Sequence, residues 1–354
     1  MKKNLPSMMT AAVLYGARDV RVERRNTPLP NPGEIVIAVE AALTDGTDLK
    51  VFRRGYHARM ITPPAIFGHE YAGRIAAIGR GVSGWRIGDR VLGANSAPCG
   101  SCFHCVRDQE SLCDDLLFVN GAYAQFLKIP ERIVRRNLLA IPDHLPAEAA
   151  ALTEPLACVV KGIRELGIQS GETAAILGSG PIGLMAARLA ALAGARVIVT
   201  GRRAAQLSVA RDWGVTEIIG PDIPVDLAGA VRDAVGGRGP DRVFEATGSP
   251  EIWEQAISAV RRGGAVNLFG GCPAGARVSL DARRLHYDEL TIHGSFHHTP
   301  SDIREAFELI NAGRIDPSRL FDSEESLDRL PVVLQEMDDR RRTLKTVIRP
   351  GVGS

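Results

Sequence analysis

The sequence carries no surplus of either charge. Lys and Arg total 43 against 41 Asp and Glu, a formal net charge of +2, so no broad basic field is offered to nucleic acid or to an anionic membrane surface. Long apolar runs are missing as well: no window reaches the roughly 18 consecutive apolar residues of a membrane helix. The basic start Met1-Lys2-Lys3 and the apolar stretch from Met8 to Leu14 have the outline of an export signal. Pro6 interrupts it, the stretch is short, and no small-residue cleavage site follows. Tyr15-Gly16-Ala17-Arg18-Asp19 reads instead as a turn after a strand. A cytoplasmic location is expected. Low-complexity tracts and internal repeats are also absent, and 45% hydrophobic with 24% charged residues is a globular composition. What remains is a small-molecule partner and a chain of 354 residues, long enough for two cores.

Cysteine is sparse but unevenly placed. Of 6 in the chain, Cys99, Cys102, Cys105 and Cys113 fall in one short run, Cys-Gly-Ser-Cys-Phe-His-Cys with a fourth eight positions on. Thiolates spaced by two residues can converge on one tetrahedral ion, which is what a closed structural zinc site requires. Disulfide pairing is the rival reading, and it fits poorly in a chain without an export signal. Cys158 and Cys272 stand alone and read as small buried hydrophobes.

The texture of the chain changes near residue 160. Before it come short strand-like runs such as Ile35-Val36-Ile37-Ala38-Val39, Gly-rich corners and Pro-punctuated loops, with few helices expected. After it, strands at 174–177, 196–199, 242–245 and 265–269 alternate with helical stretches at 182–192 and 204–213, the pattern of βαβ units in a doubly wound parallel sheet. From about His293 the texture turns irregular again, with a helix expected over 303–312 and a last strand over 346–349. The expected organisation is a β-rich domain of residues 1–158 and 295–354, with a metal lobe near 95–115, into which a dinucleotide domain of residues 159–294 is inserted.

Gly178-Ser179-Gly180-Pro181-Ile182-Gly183 follows a predicted strand and opens a predicted helix. In that context Gly-x-Gly-x-x-Gly is a pyrophosphate turn: Gly178, Gly180 and Gly183 allow close backbone approach, Pro181 and Ile182 start the helix, and its free N–H groups receive the phosphates. A Gly-rich turn without ligand is the bland alternative. At the end of the second strand, where an NAD site places an acid, Thr200-Gly201-Arg202-Arg203 has none. Two guanidiniums there could bind a 2′-phosphate, which favours NADP over NAD, unless both are simply solvated.

Together with Gly68-His69-Glu70-Tyr71-Ala72-Gly73 and Glu154-Pro155-Leu156, these motifs stand in an order that resembles the zinc-containing medium-chain dehydrogenase/reductase superfamily, and its polyol (sorbitol) dehydrogenase branch, over nearly the whole chain. The resemblance implies a GroES-like catalytic domain, a Rossmann domain, two zinc ions per chain and a homodimer or homotetramer. Carried over by position, His69 and Glu154 are ligands of a catalytic zinc, Glu70 binds it directly or hydrogen-bonds beside it, and Thr47 relays the alcohol proton. One position departs. Where the family usually has the Cys of Cys-Gly-Thr-Asp, this chain reads Asp45-Gly46-Thr47-Asp48, as in some archaeal glucose dehydrogenases. Zinc accepts carboxylate oxygen, so Asp45 is the expected third ligand, although Asp45 could merely cap a helix. Lys50 stands where the family often has His, and His297 and His298 carry no motif; these three stay unassigned. The implied reaction moves a hydride between a secondary alcohol, polyol or sugar, and NADP or NAD. The alternatives are a zinc-free quinone or enone reductase of the same superfamily and a catalytically silent cofactor-binding protein.

Overall fold

The computed structural model describes residues 5–351; the basic start Met1-Lys2-Lys3 lies outside them. The described chain divides into two compact units: residues up to Ala157 together with those from His298 onward, and Cys158–His297. The expected junctions stood at 158/159 and 294/295.

The first unit is built on the strand Ile35–Leu43, which pairs antiparallel with Glu70–Ile78, with Phe126–Ile129 and with the late strand Lys345–Arg349. Its residues, broken only by Glu40, are apolar because both faces are covered. Successive side chains of a strand point to opposite faces. Ile35, Ile37 and Val39 accordingly enter a core with Tyr71, Ile75 and Val91, while Val36 joins a second with Met9, Ala77 and Phe126. The apolar stretch near the start is the strand Met8–Gly16, and Arg18, at φ 59°, makes the turn into Asp19–Asn26. The cysteine lobe is closed at its base by a two-stranded ladder, Ser96 opposite Phe118 and Ala97 opposite Leu117.

In the second unit six parallel strands lie in the order Glu217–Ile219, Arg196–Thr200, Thr173–Leu177, Arg242–Glu245, Ala265–Leu268, Thr291–His293. By position in the chain this is 3-2-1-4-5-6, the dinucleotide-binding order, with its crevice where the order reverses beside Thr173–Leu177. All five residues of that strand are buried, as expected of a parallel strand covered on both faces.

The helix Thr153–Leu166 is absent from the sequence reading, which expected few helices before residue 160. Pro155 falls in its first turn, where the missing N–H would have had no intrahelical partner, so the proline starts the helix rather than breaking it.

Candidate active site

Asp45 is the N-cap of the helix Gly46–Arg54, in a reciprocal capping box. Its Oδ1 accepts from the Asp48 backbone N–H at 2.8 Å, and Asp48 Oδ2 accepts from the Asp45 N–H at 3.0 Å. The other oxygen, Oδ2, stands 3.6 Å from His69 Nε2. The capping reading and the ligand reading therefore use different atoms of one carboxylate. His69 and Glu70 enter where Glu70–Ile78 begins, and ligand atoms of Asp45, His69 and Glu70 all lie within 4.8 Å of one another.

Around this cluster lie partners that no local pattern announces. Asp48 Oδ1 stands 3.7 Å from His69 Nδ1, while Tyr123 Oη donates its one proton to Asp48 Oδ2 at 2.6 Å and lies 2.9 Å from the Leu43 carbonyl oxygen. His69 is thus flanked on both ring nitrogens by carboxylates. Burial alone would lower its pKa, but Asp45, Asp48 and Glu154 outweigh it and hold the ring well above the usual histidine range. Asp45 is likewise pushed up by burial but held below the ordinary aspartate value by His69 and Lys345. Glu70 is fully buried, and both its oxygens accept from Lys345 Nζ, at 2.6 and 2.7 Å. The ammonium also donates to the Thr44 carbonyl at 3.1 Å. Burial opposes its charge, yet Glu70 and Asp45 raise its pKa.

Glu154, in the first turn of Thr153–Leu166, does not join Asp45 and His69 in that cluster; its Oε1 faces His298 Nε2 at 3.6 Å, and the same nitrogen stands 3.0 Å from Asn95 Oδ1. His298, left unassigned by the sequence, is thereby a buried neighbour of a candidate ligand. His297 falls beyond the division, in the second unit. Thr47 is half-buried on the first turn of Gly46–Arg54, and Lys50 is exposed one turn on.

The four clustered cysteines meet in space. Sγ–Sγ distances are 3.5 Å for Cys102–Cys105, 3.8 Å for Cys102–Cys113 and 3.9 Å for Cys99–Cys105. A tetrahedron of Zn–S bonds near 2.3 Å has edges of about 3.8 Å. A disulfide needs its sulfurs about 2 Å apart, and all four are free thiols. Backbone N–H groups of Ser101 and Cys102 hold Cys99 down to about 6, whereas burial pushes Cys105 up to about 12. Four thiolates packed this closely repel one another unless a cation sits among them, so the donor set fits a soft divalent ion.

In the second unit Gly178 adopts φ +109°, and a Cβ at Gly183 would lie 1.8 Å from the Gly178 carbonyl oxygen, so both positions exclude any other residue. Gly180 is the N-cap of the helix Pro181–Leu192 without any side-chain cap, and Ile182 lies half-buried in its first turn. The first N–H groups of that helix are therefore left for an anion. Arg202 is exposed and Arg203, the N-cap of Ala204–Asp212, is half-buried.

Residues 31–143 match the alcohol dehydrogenase GroES-like domain and residues 181–312 the zinc-binding dehydrogenase domain. Over 358 aligned residues the chain is 31% identical to sorbitol dehydrogenase of Bacillus subtilis (strain 168), with 99% of each chain covered. It is 34% identical over 301 residues to L-threonine 3-dehydrogenase of Pyrococcus abyssi, with 83% of each covered. A zinc-binding dehydrogenase from Sinorhizobium meliloti 1021, solved bound to NADP, superposes with a TM-score of 0.88 at 30% identity, covering 98% of this chain and 100% of its own. The alcohol dehydrogenase of Thermus sp. ATN1 gives 0.86 at 27% identity, with 96% and 99% covered. The chain belongs to the zinc-containing medium-chain dehydrogenase/reductase superfamily, with its GroES-like and Rossmann folds, and is an oxidoreductase acting on CH–OH groups with a nicotinamide cofactor.

Proposed function

We propose that the chain interconverts a secondary alcohol of a polyol or sugar and the corresponding ketone, with NADP as the preferred cofactor. The observation that carries this reading is the convergence of Asp45, His69 and Glu70 within 4.8 Å at a buried turn. Full-length similarity to a sorbitol dehydrogenase supports the polyol class. Zinc, when bound, supplies Lewis-acid polarisation of the substrate oxygen, and the nicotinamide exchanges the hydride. Asp45 Oδ2 and His69 Nε2 are its donors in this reading, with Glu154 as third ligand approaching from the helix start. Lys345 Nζ, bonded to both oxygens of Glu70, holds that side chain beside the set with its oxygens already occupied. Asp48, 3.7 Å from His69 Nδ1, stands where a second-sphere carboxylate orients a ligating imidazole. The Thr47 hydroxyl relays the substrate's hydroxyl proton outward, accepting it as it passes its own proton on toward solvent.

Cys99, Cys102, Cys105 and Cys113 hold a second, structural zinc. Gly178, Gly180, Pro181, Ile182 and Gly183 seat the pyrophosphate, and Arg202 and Arg203 beside Gly201 take the 2′-phosphate. The NADP bound in the Sinorhizobium meliloti relative supports that choice. Exposed Leu280, Leu285, Tyr287 and Phe296, flanking the edge strand Thr291–His293 in sequence, support a homodimer or homotetramer. No described helix is long and apolar enough to cross a membrane, and a cytoplasmic location belongs to the same proposal. The test is a panel of polyols, aldoses and simple secondary alcohols assayed at 340 nm with both cofactors, with metal analysis of the same preparation. Turnover confined to non-polyol alcohols would overturn the substrate class, and less than about two zinc ions per chain the metal assignment.

A further inference from the structure

Gly201 is buried at the end of the strand Arg196–Thr200, and its φ lies outside the left-handed region, so its backbone does not call for glycine. Space does. A Cβ built there would lie 2.0 Å from Ser179 Oγ, 2.6 Å from Ser179 Cβ and 2.9 Å from Leu207 Cδ2. Leu207 can give way by rotation. Ser179 cannot: its Cβ is fixed by the backbone of the phosphate turn, and rotating Oγ aside leaves the 2.6 Å approach in place. The serine is further held because its Oγ donates to Gln206 Oε1 at 2.9 Å, with Ser179 3% and Gln206 5% exposed. The Gly201 backbone is itself held close to its neighbour, since its carbonyl oxygen lies 1.9 Å from where a Gly220 Cβ would be.

We propose that Ser179, locked by Gln206, determines cofactor specificity by occupying the space into which a side chain at position 201 would project. It thereby excludes the carboxylate with which NAD-selective sites hold the ribose hydroxyls. The proposal rests on the reading that Arg202 and Arg203 face the 2′-phosphate and adds its converse. The arginines attract the phosphorylated dinucleotide, while Ser179 keeps out the acid that would repel it. Position 201 therefore cannot change alone. An aspartate there must displace the phosphate turn itself, which weakens binding of both cofactors.

The test has two arms. In the first, thermal midpoints are measured without cofactor for the wild type, Gly201→Ala, Ser179→Gly and the double variant. Gly201→Ala is expected to lower the midpoint by several degrees in the Ser179 background and by much less in the Ser179→Gly background. Equal losses in both backgrounds would overturn the proposal. In the second, NADPH and NADH binding is followed by fluorescence. Gly201→Asp alone is expected to bind both at least about tenfold more weakly than wild type. Adding Ser179→Gly should restore NADH binding and move the NADH-to-NADPH preference at least about tenfold towards NADH. NADH binding by Gly201→Asp alone as tight as by the double variant would overturn it. A wild type that itself prefers NADH would sink the arginine reading instead, and the first arm would still decide whether Ser179 excludes a side chain at 201.

Discussion

Replacing Asp45 by Asn separates the two jobs its carboxylate is placed to do. The amide keeps an oxygen for the Asp48 N–H, which Oδ1 now receives at 2.8 Å, and Asn and Asp are equally good N-caps. It loses the negative charge on the atom 3.6 Å from His69 Nε2. Asp45→Ala loses both. The stability difference between the two variants, measured without metal, should thus be the cap alone, about 1 kcal/mol, or roughly 2–4 °C in the thermal midpoint of a unit this size. Their zinc affinities should fall together. Loss of a ligand's supporting partner already costs about 10–100-fold, so loss of the ligand itself is expected to cost at least about 100-fold, or about 2.7 kcal/mol. Asp45→Cys should recover zinc but not the cap, giving the reverse pattern. The assays are thermal unfolding of chelator-treated protein, zinc retained after dialysis against graded chelator, and turnover with a saturating alcohol. Asp45→Asn with wild-type zinc retention and turnover would refute the ligand role, leaving Asp45 a cap and moving the assignment to Glu70.

Four other outcomes follow from the same geometry. Cys102→Ser should remove one of two zinc ions per chain and destabilise the lobe, because structural zinc binding is folding free energy; full zinc content with unchanged stability would exclude the four-cysteine site. Lys345→Met leaves Glu70 buried without its ammonium and should cost about 3–5 kcal/mol in urea unfolding at neutral pH, and an unchanged midpoint would mean that Glu70 carries no uncompensated charge. Burial pushes the Asp241 carboxyl up, but bonds from the Thr173 N–H and hydroxyl and from Arg261 outweigh it and hold it at about 2. A lowered folded-state pKa gives stability that is present above the unfolded value and lost as pH falls toward about 2. Asp241→Asn should therefore cost about 2 kcal/mol at pH 7, with the deficit vanishing between about pH 4 and pH 2; a deficit independent of pH would contradict the carboxylate's role. Arg203→Ala should raise the Michaelis constant for NADP at least about tenfold with little change for NAD, and equal changes for both would place this guanidinium away from the 2′-phosphate.

The features readable from sequence are those whose parts lie close together in it. Gly178 and Gly183 constrain each other across one turn, so their spacing carries the geometry, and the cysteine lobe closes within a single short run. The partners that were missed lie far apart. Lys345 is 275 residues from Glu70, His298 is 203 from Asn95 and Tyr123 is 75 from Asp48. No periodicity links such pairs, because tertiary packing rather than local propensity brings them together: Lys345, for one, arrives on a strand inserted beside Ile35–Leu43. Asp48 could have been found. Asp45-x-x-Asp48 before Leu49 and Val51 is a capping-box pattern, and the side chain that closes the box is the one that reaches back to His69. The helix at Glu154 was hidden by Pro155, a residue that reads as a breaker until its place in the first turn is known.

An aspartate in place of the family's cysteine changes more than the donor atom. A thiolate has one sulfur, which must serve backbone N–H groups and the ion alike, whereas a carboxylate has two oxygens that can divide the tasks. Here Oδ1 is committed to the start of Gly46–Arg54 and Oδ2 to the site. The commitment also bears on charge. At a helix N-terminus the unsatisfied N–H groups and the macrodipole favour an anion, and His69 and Lys345 act in the same direction, holding Asp45 ionised despite its burial. A carboxylate is a harder and less electron-donating ligand than a thiolate, and zinc alone would gain less from it. The helix makes up part of that difference by fixing the carboxylate's position and charge before any ion arrives, so the donor is pre-organised by the fold and not by the metal it is placed to receive.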